Sequence, residues 1–139
     1  MKNTLINLML ATAAVMVAST LASAQSLNAE IPFSFRAANT LMSPGTYEVI
    51  SFNGGSYFEL RNQDARQSIL LATGVRQDPP KAWSQSGSPA LQFTCSDEGC
   101  ALNLLWTGIA GNPAHAYARP KAEQGKSGKL AIIRMAVKK

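Results

Sequence analysis

Apolar and polar residues alternate along much of this chain with a period of two, the mark of strands that bury one face. In "EIPFSFR", Ile31, Phe33 and Phe35 share one face, and Glu30, Ser34 and Arg36 share the other. Pro32 falls on the polar face and cannot donate to a ladder, so the stretch reads as an edge strand or a strand start. In "SPGTYEVISF", Pro44-Gly45 is a turn dipeptide that opens a strand over Thr46 to Phe52. "NGGS" then leads into "YFELRN", the clearest hairpin signal in the chain. With Gly54-Gly55 as the loop, Val49 faces Leu60, Ser51 faces Phe58 and Glu48 faces Arg61. A slip that set Glu48 against Glu59 would oppose like charges, which selects the first register.

"RQSILLATG" predicts a third strand of this meander, entered through the turn "NQDA". Its nearly continuous apolar centre, Ile69 to Ala72, predicts a central strand covered on both faces. "VRQDPPKAWSQSGSP" and "TGIAGNPAHAYARPKAEQGKSG" read as long irregular connections, with a short strand around His115 to Arg119 inside the second. Between them lies the hairpin "LQFTC…CALNLLW". The chain closes on "KLAIIRMAV", with Leu130, Ile132 and Arg134 on one face and Ala131, Ile133, Met135 and Val137 on the other. The pattern predicts an all-β fold, an antiparallel sandwich or small barrel of about six to eight strands.

The first residues change where this domain is placed. Lys2, an apolar run from Leu5 to Val17 and Ala22-Ser23-Ala24 form a signal peptide, residues 1–24, with cleavage after Ala24. The run is short for a membrane anchor, and no basic residue follows it before Arg36. Residues 25–139 then make a single exported β domain, periplasmic or secreted, with no transmembrane segment after cleavage. A transmembrane barrel would need longer lipid-facing strands and an aromatic girdle.

The formal net charge is +5, and it is concentrated at the C-terminal end. From Arg119 onward, Arg119, Lys121, Lys126, Lys129, Arg134, Lys138 and Lys139 face Glu123 alone. This segment suits an anionic envelope component or acts as a solvated, solubilising tail. No aromatic residues interleave with the bases after Tyr117, which argues against nucleic acid.

Candidate chemistry is sparse. Cys95 and Cys100 are the only cysteines. Set opposite each other across a hairpin, they place Phe93 against Leu102 and Leu91 against Leu104 on one apolar face, and Gln92 against Asn103 and Thr94 against Ala101 on the other. Facing cysteines in an oxidising compartment predict a disulfide, worth about 2 kcal/mol for so short a loop. The spacing is not the C-x-x-C of dithiol oxidoreductases, and a zinc site would need more ligands than His115 can add. His115 is the only histidine, and no serine lies in a G-x-S-x-G context, so a Ser-His-Asp triad finds no support, while paired carboxylates for glycosidic chemistry stay open. No metal or cofactor motif is present, and none is predicted. Trp83, Trp106 and Tyr117 lie in or beside the long connections. They read either as a stacking platform for a sugar or apolar ligand, or as core-closing aromatics that pin their loops.

The succession of a signal peptide, "IPFSF", "SPGTYEV", "NLLWTG" and "ARPKAEQG" resembles a group of short exported proteins of acidobacterial-type soil bacteria. That resemblance implies an exported β domain and no particular activity. A looser similarity links "SPGTYEV" to the strand-opening turn of prealbumin-like sandwich modules, at the level of fold. The functional reading is a non-enzymatic binding or envelope-associated protein. A periplasmic carrier of a small lipid or sugar is the second reading and a hydrolase the third.

Overall fold

A computed structural model describes residues 26–72, 74–117 and 128–138. The expected signal peptide, residues 1–24, and its expected cleavage site at Ala24 lie outside the described residues. In chain order the strands are β1 (Ser26–Ile31), β2 (Phe35–Ala37), β3 (Thr40–Met42), β4 (Gly45–Phe52), β5 (Tyr57–Asn62), β6 (Gln67–Ala72), β7 (Val75–Gln77), β8 (Ala90–Ser96), β9 (Gly99–Trp106), β10 (Ala114–Ala116), β11 (Lys129–Arg134) and β12 (Ala136–Val137). One short helix, α1 (Lys81–Ser86), lies between β7 and β8. The fold is an all-β sandwich. It has more segments than the pattern suggests because several strands are only two or three residues long.

A five-stranded sheet has the order β12-β1-β4-β5-β6. A seven-stranded sheet runs β11-β8-β9-β10-β7, with β2 laid parallel along the first half of β9 and β3 paired to β2. All other pairings are antiparallel. The main core contains residues from both sheets, including Ile31, Tyr47, Phe58 and Leu60 from the first and Phe35, Phe93, Leu102 and Leu105 from the second. Phe35 meets Tyr47 and Phe93 edge-on, at centroid distances of 5.3 and 5.1 Å, the arrangement ring quadrupoles favour.

The β4–β5 register is the one selected by charge: Glu48 lies opposite Arg61, Val49 opposite Leu60 and Ser51 opposite Phe58. The charged groups nevertheless choose other partners. Arg61 pairs with Glu59 at 3.1 Å, while Glu48 accepts a 2.6 Å hydrogen bond from Ser26 Oγ and an ion pair from Lys138 at 3.4 Å. Those bonds tie β1, β4 and the end of β12 together.

Several expectations about individual strands are corrected. "EIPFSFR" is not one strand. β1 ends at Ile31, and the chain crosses through Pro32–Ser34 to begin β2 in the other sheet. Pro32 lacks the N–H that a continuing ladder requires, while Ile31 and Phe35 still reach the same core. β1 lies between β12 and β4, so it is not an edge. β6 is the edge strand rather than a central one: Ile69 and Leu71 turn inward, and Leu70 is 62 % exposed. A run of apolar residues cannot by itself say whether its second face is covered. The last strand divides at Met135, which is buried in the main core while β11 and β12 join different sheets.

The cysteine hairpin shows the largest departure. Cys95 faces Cys100, Thr94 faces Ala101 and Phe93 faces Leu102, as predicted. A bulge between Gln92 and Phe93 then sets Gln92 opposite Leu104 and Leu91 opposite Leu105. The extra residue, Asn103, reverses the side-chain parity beyond it. Leu105, not Leu104, therefore enters the main core.

Candidate functional site

The parity change builds a second core on the outer face of the seven-stranded sheet, made of Trp83, Ala90, Leu104, Trp106 and Ala114. Trp83 is supplied by α1. A six-residue helix has too few internal bonds to stand alone, and this one has no side-chain N-cap after Pro79-Pro80. Burial of Trp83, 2 % exposed, holds it to the sheet. Gly87 ends the helix in the left-handed region at φ 64°, its N–H bonded to Trp83 O at 2.9 Å. From β11, the Arg134 guanidinium lies 5.9 Å from the Trp83 ring centroid and donates to Ser88 O at 3.2 Å. On the other side, Trp106 Nε1 donates to Asn112 O at 3.1 Å and fixes the loop that follows β9.

Between α1 and that loop lies a cleft of about 500 Å³. Asp78, Lys81 and Ser84 line one side and Gly111, Asn112 and Pro113 the other, with Trp106 also in the lining. Nothing lies within 4 Å of where a Gly111 Cβ would stand, so bare backbone faces open space there. The ionisable side chains of the lining are Asp78 and Lys81. The Ser84 hydroxyl donates to Lys81 O at 3.1 Å.

The structure brings Trp83 and Trp106 together but leaves Tyr117 apart. Both tryptophans are 2 % exposed, so they support the cleft and offer no open ring face for stacking. Tyr117 follows β10, donates its N–H to Asn103 O at 2.9 Å and packs against the main core. Its hydroxyl is buried without a partner, and burial pushes its pKa well above the usual range. His115 is 5 % exposed in β10, opposite Leu105 and Arg76, with its ring 4.9 Å from Phe58 and Nδ1 unpartnered. Burial, reinforced by Arg76, lowers its pKa. Cys95 and Cys100 form the disulfide at the tip of the β8–β9 hairpin. Among the described residues, no group of three or more His, Cys, Asp or Glu could hold a metal ion. Of the basic C-terminal segment, Lys129, Arg134 and Lys138 are described. Arg134 and Lys138 have the intramolecular partners given above, and the other four bases lie outside the described residues.

Reading the pattern alone missed α1, and hence the cleft. A signal was present: Pro79-Pro80 before "KAWSQS" and Gly87 after it follow the proline-before, glycine-after asymmetry of helices. No protein-family model matches the chain, and neither does any curated protein or solved structure. Among the described residues, no helix is long and apolar enough to cross a membrane.

Proposed function

We propose that this chain is an exported, non-enzymatic binding domain of the cell envelope, and that its ligand enters the cleft between α1 and the loop after β9. One observation carries the reading. The two long connections of the sequence converge on a single cleft of about 500 Å³, within the range of roughly 300–1,000 Å³ typical of ligand sites. Export is supported by the leader pattern ending at Ala24 and by the disulfide between the chain's only two cysteines. Binding rather than chemistry is supported by the lining, where Asp78 and Lys81 have no accompanying histidine or thiol. The basic segment serves in long-range attraction to an anionic envelope surface, since Arg134 and Lys138 are already engaged within the fold.

The carrier reading has less support. Large side chains such as Phe35, Tyr47, Phe58 and Phe93 fill the space between the sheets. The pocket beside them is about 160 Å³, too small for a lipid.

Fractionation of the source cells with and without Ser84→Trp tests the proposal. Ser84 is exposed and lines the cleft, so the larger ring fills it without entering either core. The wild-type chain is expected to co-sediment with the envelope and the variant to be released. Equal co-sedimentation of the two would reject the cleft as the binding site.

A further inference from the structure

A second pocket, sharing no lining residue with the cleft, opens beside the β2–β3 turn. Leu71 of β6 and Ala101 and Leu102 of β9 give it apolar lining, and Arg36, Asn39 and Tyr117 are its polar lining residues. We propose that this pocket binds a small monocarboxylate with an apolar body, with the carboxylate held by Arg36 and the Tyr117 hydroxyl.

Four observations lead there. The first is size: the volume is about 160 Å³, and an apolar cavity of about 150 Å³ accommodates benzene. The second is charge. Arg36 is exposed and makes no hydrogen bond or ion pair among the described residues. A guanidinium recognises a carboxylate through paired N–H donors. The third is the Tyr117 hydroxyl, buried with no partner. Leaving such a group unsatisfied costs about 1–3 kcal/mol, and a ligand oxygen would accept a hydrogen bond from it. The fourth is backbone strain. Ala38 and Asn39, both in the lining, form the two-residue turn of the β2–β3 hairpin with φ of 48° and 64°. This turn favours Asn-Gly, and alanine is strained in the left-handed region. Such strain is concentrated at functional sites. A single guanidinium beside an apolar lining suits one carboxylate rather than a polyanion.

Titration calorimetry and NMR on the purified chain test this with benzoate, hexanoate, benzyl alcohol and inorganic phosphate as probes. Benzoate is expected to bind saturably and to shift the Tyr117 ring signals. Benzyl alcohol, and benzoate with Arg36→Gln, should each bind roughly tenfold more weakly or worse. Tyr117→Phe, which keeps the ring, should weaken benzoate less than Arg36→Gln. Hexanoate binding as tightly as benzoate assigns an aliphatic acid, and weaker binding assigns an aromatic one. The proposal is overturned if neither acid binds saturably, if Arg36→Gln binds benzoate like the wild type, or if phosphate competes on equal terms. None of these outcomes bears on the α1 cleft, which Ser84→Trp probes separately.

Discussion

Leu102 and Leu104 stand two residues apart on β9 and belong to different cores: Leu102 to the one between the sheets, Leu104 to the one beneath α1. Residues at that spacing normally share a face, and the bulge at Asn103 separates them. Leu104→Ala should cost about 2–5 kcal/mol, and the loss should be felt first under α1. Amide exchange at Trp83, Ser84 and Gly87, whose N–H groups close the helix, should accelerate more than exchange in β4 and β5. Leu102→Ala should reverse that order. Equal acceleration in both regions would show that the two cores act as one.

The disulfide closes a short hairpin loop, so its effect on stability is limited. Intact mass under non-reducing conditions should lie two hydrogens below the fully reduced chain. Reduction, or the paired Cys95→Ser and Cys100→Ser substitutions, should lower stability by about 2 kcal/mol and leave the sheet order intact. Two free thiols in the protein isolated without reductant would contradict the assignment.

Acid should weaken the fold in two stages. Burial, then Arg76, lowers the His115 pKa from its ordinary 6.5. The Ser26 hydroxyl, helped by Lys138, lowers the Glu48 pKa from 4.5 despite the opposing effect of burial. Each group binds fewer protons when folded than when unfolded just below its ordinary value, so stability is lost as pH falls through that window. Urea midpoints should be flat above about pH 7, lower near pH 5.5 and lower again near pH 3.5. His115→Gln should remove the first stage, and Glu48→Gln should reduce the second.

Two turns should respond in opposite directions. A Cβ on Gly45, whose φ is 153°, would lie 2.9 Å from both Asn62 Oδ1 and Asp64 Oδ2. Asn62 accepts from the Asp64 and Ala65 amides and donates to Ser43 O, so these atoms cannot move without losing bonds. Gly45→Ala should therefore destabilise by about 1–3 kcal/mol. Ala38→Gly, which relieves a φ of 48°, should stabilise by roughly 0.5–1 kcal/mol. Thermal denaturation of the two variants checks both signs.

Local pattern made the sandwich legible. Alternation located most strands, and like-charge avoidance selected the Glu48–Arg61 register that the structure has. What it could not reveal depends on contacts distant in sequence. The edge position of β6 depends on what covers Leu70, not on the run "ILLA". The bulge at Asn103 follows from packing Leu104 and Trp106 against Trp83, which no hairpin parity rule contains. The cysteine pair was legible because cross-strand spacing across a short hairpin is a local property of the sequence. The cleft was not, because its walls come from connections about twenty residues apart. The pocket at Arg36 and Tyr117 joins residues even farther apart along the chain.

The central claim is that the α1 cleft is the face this domain presents to the envelope. Its most direct test is site-specific photocrosslinking in the source cells. The probe p-benzoylphenylalanine is placed at Lys81, an exposed residue of the cleft lining whose long side chain it replaces, or, as a control, at Leu70, which is 62 % exposed on the opposite sheet. The account predicts that the probe at position 81 crosslinks to envelope material and the probe at position 70 does not. Crosslinking from position 70 with none from position 81 would contradict it.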